Sequence, residues 1–240
     1  MKANWKVLKN HEEASLYAAG LVAEAFVQKP DMTVTFAAGD TPFACYRELI
    51  RRQSAGELTL CKARYIGLDE WVGLGRETEG SCIAAMSSGY YLPAGIPNER
   101  ITVFDGLTHD LETELTKMQE ALGQHPLELA ILGVGVNGHV GFNEPGAVMT
   151  GDFSLVPISQ STQAVGRKYF AGEQTPTLGA SITVQALQQA GRIVIVATGE
   201  SKQAAVQDII TGRAELPAAA FLNHPGTVYV FDEAAVGEGL

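Results

Sequence analysis

The chain has few cysteines, no excess of basic charge and no long apolar run. Its three cysteines, Cys45, Cys61 and Cys82, form no CxxC motif and no close pair, which predicts neither a disulfide framework nor a zinc site. They read as small hydrophobes in a reducing cytoplasm. Against 27 Asp plus Glu there are only 17 Lys plus Arg, a formal charge of −10. The basic footprint that nucleic-acid binding requires is therefore missing, and any anionic ligand must be held locally by a few groups. No apolar stretch reaches the roughly 18 residues of a membrane-spanning helix, so no membrane partner is expected. At the N-terminus Lys2, Lys6 and Lys9 are followed by Glu12 and Glu13, which argues against a secretory signal. Repeats, low-complexity tracts and Pro/Gly/Ser-rich linkers are also lacking, so the 240 residues read as one domain.

What the chain does have is an alternation of short Val- and Ile-rich runs with longer segments of helical period. Strands are expected at Trp5–Leu8, Thr33–Ala37, Ala63–Leu68, Ile101–Phe104, Glu128–Gly133, Ile193–Thr198 and Thr227–Phe231. Most are apolar throughout, as strands covered on both faces must be. Helices are expected after Asn10 and at Pro42–Gln53, Ser81–Tyr91, Asp110–Leu122, Val184–Ala190 and Ser201–Gly212, with Asn10, Ser81 and Ser201 as candidate caps. This pattern predicts an α/β fold, a single-domain doubly wound and mainly parallel sheet of Rossmann-like type. The least regular section, about 147–180, reads either as a lid or as an ordinary long excursion from the sheet.

Ligands of open parallel sheets bind beyond the carboxyl ends of the strands, and four such places stand out. After Thr33–Ala37 comes Ala38-Gly39-Asp40-Thr41-Pro42, a turn into a helix whose exposed N–H groups suit a phosphate, although any strand-to-helix turn uses these residue types. After Ala63–Leu68 comes Asp69-Glu70-Trp71. Adjacent side chains of extended backbone face opposite ways, so one carboxylate at most aims into a cleft, and Asp69 is the candidate for proton shuttling. The bland alternative is a loop acid that caps the next element.

The third place, Gly133-Val134-Gly135-Val136-Asn137-Gly138-His139-Val140-Gly141-Phe142-Asn143-Glu144-Pro145-Gly146, carries the strongest signal. Glycines at this density are useful chiefly where backbone turns sharply or approaches a ligand. His139 can exchange protons near neutral pH, with Asn137 and Glu144 able to fix its tautomer or basicity. Gly133, Gly135 and Gly138 also fit a dinucleotide GxGxxG formally, but His139 to Pro145 does not read as the helix that motif opens. Fourth, Thr198-Gly199-Glu200-Ser201-Lys202 places a lysine at a helix start, where it pairs with a phosphate or is simply solvated. Arg167 and Lys168 are either a second cation source or surface charges.

Taken in order, Gly39–Pro42, Leu68–Trp71, Gly135–Gly146, Thr162–Phe170 and Gly199–Lys202 resemble the glucosamine-6-phosphate deaminase family, with its galactosamine-6-phosphate deaminase relatives, over nearly the whole chain. The Asn143-Glu144-Pro145-Gly146 ending is the specific part. The resemblance implies aldose–ketose isomerisation and deamination of an amino sugar 6-phosphate to a ketose 6-phosphate and ammonia, in amino sugar catabolism, with no metal or organic cofactor. It assigns ring opening to His139, assisted by Asn137 and Glu144, and proton transfer from C2 to C1 to Asp69. The phosphate falls to Ala38, Gly39, Asp40, Thr41 and Lys202, with Lys168 reaching in from the lid.

Three residues differ from the family pattern: Asp40 replaces a small residue, Asn137 stands where many members have Asp, and Lys168 stands where Arg is usual. The chain ends soon after its last strand, so a monomer or small homo-oligomer is expected and an allosteric hexamer is not. Leu68–Trp71 with Cys82 is closer to the galactosamine type. Two other readings remain. A 6-phosphogluconolactonase-like hydrolase would use His139 to activate water, but Trp71 and Asn143–Gly146 count against it. A catalytically silent sugar-phosphate sensor would not need Asp69, His139 and Glu144 together.

Overall fold

The computed structural model describes residues 4–170, 176–212 and 215–237. Seven strands form a sheet in the order β1-β10-β9-β6-β2-β3-β5. They are β1 (Trp5–Leu8), β2 (Thr33–Phe36), β3 (Arg64–Ile66), β5 (Ile101–Thr102), β6 (Leu129–Gly133), β9 (Arg192–Ala197) and β10 (Thr227–Asp232), and every neighbouring pair is parallel. All seven expected strands are present, with ends that shift by up to two residues. The period of two along them sorts the core. Leu129, Ile131, Val194 and Val196 face one layer and Ala130, Leu132, Ile193 and Ile195 the other, which is why these strands read as apolar runs.

On the first face pack α1 (His11–Gln28), α2 (Asp40–Ser54) and α3 (Cys82–Met86), the last running into a π-helical turn at Ser87–Tyr91. The opposite face is covered by α4 (Leu111–Gln124), α6 (Val184–Leu187), α7 (Gln203–Ile210) and α8 (Glu233–Val236). Three expected helix starts are built as the sequence suggests. Asn10 accepts from the Glu13 N–H, Ser81 from Ala84 and Asp110 from Thr113. Ser201 is different: it lies inside a 3-10 turn (Glu200–Lys202), and α7 begins at Gln203 without a side-chain cap.

A second, antiparallel sheet of three strands has the order β4-β8-β7: β4 (Asp69–Trp71), β8 (Leu178–Ile182) and β7 (Phe153–Pro157). It was not anticipated. Asp69-Glu70-Trp71 is thus itself a strand, and the section 147–180 supplies β7 and the start of β8 to the same sheet. Between β7 and β8 lie α5 (Gln160–Gly166) and a 3-10 turn at Arg167–Tyr169. Of the irregular Gly172–Thr177 stretch, residues 172–175 lie outside the described residues. Trp71 fastens this layer. Its indole packs on Phe142 and Phe170 at ring-centroid distances of 4.5 and 5.4 Å, in a small core shared with Val156 and Ile158.

Candidate active site

The carboxyl ends of β2, β6 and β9 and the strand β4 deliver the residues singled out above. In β4 the alternation of side chains separates the two acids. Glu70 turns inward, is buried, and accepts from Ser81 Oγ (2.7 Å) and from the N–H groups of Trp71 (2.8 Å), Cys82 (3.0 Å) and Ile83 (2.9 Å). It is the acid that caps the next element, holding the start of α3. Asp69 takes the other face. Its carboxyl is pushed up to about 7, mainly by burial and further by the Glu70 charge, against a lowering hydrogen bond from the Cys82 side chain. Such a group is partly protonated at neutral pH and suited to take and return a proton.

The glycine-rich loop after β6 passes directly beside it. A Cβ at Gly141 would stand 2.8 Å from Ser181 Oγ and 3.5 Å from Asp69 Oδ2, and one at Gly135 would lie 2.2 Å from the His139 ring. The loop therefore needs bare backbone at both places, one to pass Ser181 and one to admit the imidazole. Asn143, buried, fixes the loop from behind by donating to the Val140 and Ile182 carbonyls, both at 2.8 Å, and accepting from the Val184 N–H at 2.9 Å.

His139 Nδ1 lies 2.7 Å from Asn137 Oδ1 and 3.0 Å from Thr162 Oγ1. The Asn137 amide nitrogen donates to Glu144 Oε2 at 2.8 Å and to Ser161 Oγ at 3.2 Å. This order of partners fixes the chemistry. The buried Glu144 carboxylate accepts only, so it draws the amide N–H₂; Asn137 Oδ1 then faces the ring and accepts an Nδ1 proton, leaving Nε2 as the basic nitrogen. Glu144 itself is 3.8 Å from Nδ1 and acts through the amide. Burial lowers the His139 pKa, partly offset by Glu144 and reinforced by Lys202, so the ring is neutral at pH 7.

At the other end, Gly39 (φ 121°) precedes the first residue of α2 with no side-chain cap, leaving the N–H groups of that helix start open. Thr41 sits in its first turn. Asp40 is exposed and forms an ion pair at 2.8 Å with Lys168. Tyr169 donates its hydroxyl to the same carboxylate oxygen at 3.4 Å, and the Lys168 ammonium lies 4.6 Å from the Tyr169 ring centroid. Lys168 and Tyr169 hold Asp40 below the usual carboxylate range. Lys202, half-buried on the turn after β9, is lowered first by burial and then by Lys168. Among the described residues Lys202 makes no ion pair, and Arg167 makes none either.

Apart from Arg167, the candidates named from the sequence fall into two groups, Asp69/Asn137/His139/Glu144 and Ala38–Thr41/Lys168/Lys202. The sequence marks Thr162–Phe170 only as a motif of the resemblance, and the hydrogen bonds that α5 makes to the buried group are not read from it. Ser159 caps α5 and its N–H reaches Glu144 Oε1 at 3.4 Å, Ser161 and Thr162 complete the environment of Asn137 and His139, and Lys168 and Tyr169 follow in the next turn. The Ser159-x-x-Thr162 cap pattern was the available signal. Among the described residues no three His, Cys, Asp or Glu side chains gather as a metal ion would require.

Comparison with known proteins gives the family and the fold. Residues 10–230 match the family model described as glucosamine-6-phosphate isomerases/6-phosphogluconolactonase. A glucosamine-6-phosphate deaminase of Clostridium botulinum strain Hall is 31% identical over 236 residues, covering 97% of each chain. One from Bacillus velezensis is 32% identical over 235 residues, covering 95% of this chain and 97% of that one. Among solved structures, a monomeric glucosamine-6-phosphate deaminase superposes with a TM-score of 0.91 at 27% identity, covering 97% of this chain and 98% of the other. The 6-phosphogluconolactonase of Trypanosoma brucei gives a TM-score of 0.76 at 18% identity, over 98% of this chain and 97% of that one, a likeness of fold alone.

Proposed function

The chain belongs to the glucosamine-6-phosphate isomerase/6-phosphogluconolactonase family, and from that premise we propose that it is an amino sugar 6-phosphate deaminase. It converts glucosamine 6-phosphate or galactosamine 6-phosphate to the ketose 6-phosphate and ammonia. The observation that carries this reading is the joining, along one loop, of a desolvated carboxyl and an imidazole whose tautomer is fixed, beside an uncapped helix start and two lysines.

Each group has a task. His139 Nε2 takes the proton of the anomeric hydroxyl and returns it to the ring oxygen, opening the pyranose; Asn137 and Glu144 hold the ring in the tautomer that permits this. Asp69 then removes the C2 proton while the substrate's 2-ammonium group passes a proton to O1, forming the enolamine, and Asp69 delivers its proton to C1. The resulting imine at C2 adds water and expels ammonia. Each acid–base group contributes about 10²–10⁴-fold. The N–H groups at Gly39–Thr41, with Lys202 and Lys168, take the phosphate.

Lactone hydrolysis is disfavoured by Trp71. This position is buried between Phe142 and Phe170, so it presents no group to a lactone carbonyl or to the ring alkoxide that leaves. We further propose a single domain in which α5 and its following turn are the part that closes over substrate, a monomer or small homo-oligomer, and a cytoplasmic location, where the three free cysteines stay reduced. No described helix is long and apolar enough to cross a membrane. The test offers the purified protein each amino sugar phosphate separately and measures ammonia. Release from either sugar is expected; release of acid from 6-phosphogluconolactone with no ammonia from both sugars would overturn the reading.

A further inference from the structure

The Asp40 carboxylate is an unusual neighbour for a phosphate. It stands at the first residue of α2, where the helix end and Lys202 favour an anion, so a negative charge of the protein lies beside the place a phosphate would take. It takes Lys168 at 2.8 Å and the Tyr169 hydroxyl at 3.4 Å, both from the turn after α5. The groups facing it are therefore the Lys168 ammonium and the neutral Tyr169 hydroxyl from that turn and the Lys202 ammonium from the turn after β9. Two cations and one carboxylate leave a net single positive charge for a ligand that carries two negative charges above pH about 6.

We propose that Asp40 is a charge-selectivity residue: it holds Lys168 until a phosphate displaces it, and by its own charge it discriminates against the dianionic form of the phosphate in favour of the monoanion. The inference deepens the reading of this cleft as a sugar-phosphate site and rests on it. Three features support it. The carboxylate side chain is 76% exposed, so it is free to swing aside without leaving a buried charge unpaired. Lys168 is 53% exposed and has the reach to exchange one oxygen anion for another. Lys202, by contrast, is half-buried without an ion-pair partner among the described residues, so it stays in place as the fixed cation.

The test compares the natural protein with Asp40→Asn at pH 5.5 and pH 7.5, at low salt. Two quantities are read: the KM for the amino sugar 6-phosphate, and the dissociation constant of inorganic phosphate by calorimetry. Removing the charge lowers both by about tenfold at pH 7.5, where the ligand is a dianion, and by about threefold or less at pH 5.5. Asp40 is ionised at both pH values because its pKa lies below the ordinary carboxylate range, so the change in ratio reports the ligand's charge. A rise in KM and dissociation constant, as expected if Asp40 instead binds a sugar hydroxyl or merely positions Lys168, overturns the proposal. So does an equal effect at both pH values. If the natural protein releases no ammonia, the functional reading fails on its own, and the phosphate titration still decides the role of Asp40; absence of phosphate binding by both proteins overturns it.

Discussion

Two aspartates follow neighbouring strands of the same sheet, β2 and β3, and their carboxyls move in opposite directions. Asp69 lies within the second sheet beside a buried glutamate and is pushed up to about 7. Asp40 lies in solvent beside a lysine and a tyrosine and is held down. The residue type is constant; burial and partner decide what it does. At the buried end the protein makes a carboxyl basic enough to take a proton from carbon, and positions its imidazole through a chain of fixed hydrogen bonds. At the exposed end it uses mobile side chains and open helix N–H groups, which can exchange partners when a ligand arrives.

The sharpest way to break this comparison is Asp69→Asn. Turnover is expected to fall by about 10³–10⁴-fold, the upper part of the range for a general base. Stability moves the other way. Between the ordinary carboxylate range and pH about 7 the folded protein keeps a proton that the unfolded chain has lost, so stability is lost as pH rises through that window. The amide removes that loss, and the melting temperature should rise by a few degrees at pH 8 and hardly at all at pH 4. In the unaltered enzyme the same group places the rising limb of kcat/KM near pH 7. Retained activity in Asp69→Asn, or a melting temperature that gains nothing at pH 8, would remove Asp69 from the role of base.

Next in size is Trp71→Ala, which acts between the two ends. The indole lies under α5 and the turn that carries Lys168, against Phe142, Phe170 and Gly166. Its loss should cost about 3–5 kcal/mol of folding stability, read by urea unfolding. In the protein that remains folded KM should rise more than kcat falls, because the exposed end depends on where that turn sits. A loss confined to kcat would show that the indole serves the buried end instead.

Much of this arrangement is legible in the sequence, and what is not has identifiable causes. The parallel strands are readable because both their faces are covered, so they are apolar without interruption; Leu129–Gly133 and Arg192–Ala197 are examples. The division of labour between Asp69 and Glu70 follows from alternation alone. The second sheet is not legible, since Asp69–Trp71 is three residues long and pairs with Gly179–Ser181, more than a hundred positions away. Glu70 as the anchor of α3 is hidden for a similar reason, with Ser81 eleven positions further on and no local pattern linking them. Thr162 has a local cap signal, but its contact with His139 depends on how α5 docks.

Glu144→Gln addresses the fixed end more finely. The glutamine can present its amide nitrogen to Asn137, and the Asn137 amide is then free to turn over and offer N–H to His139. The imidazole loses its Nδ1 acceptor and with it the tautomer that leaves Nε2 basic. A fall in kcat/KM of about 10²-fold is expected, while the dissociation constant of inorganic phosphate should stay within twofold, since Glu144 touches none of the groups at Asp40, Lys168 or Lys202. A loss of phosphate affinity as large as the loss of rate would mean that the two ends are not separable.

The smallest expected effect, Asn137→Asp, tests why an amide stands between two functional groups. A carboxylate 2.7 Å from Nδ1 stabilises the imidazolium, so the His139 pKa, lowered by burial in the natural protein, should climb by about one unit. The pH dependence of the ring-opening step should move with it. The same substitution converts the 2.8 Å Asn137–Glu144 hydrogen bond into a contact between two carboxyls, which must share a proton. Because that shared proton is bound more tightly in the folded state, stability should be kept at pH 5 and lost toward pH 8, opposite to the gain expected from Asp69→Asn. Melting temperatures of the two variants across this range would therefore cross. Parallel curves would mean that the buried end has enough water to screen its charges, and the contrast with Asp40 would lose its physical basis.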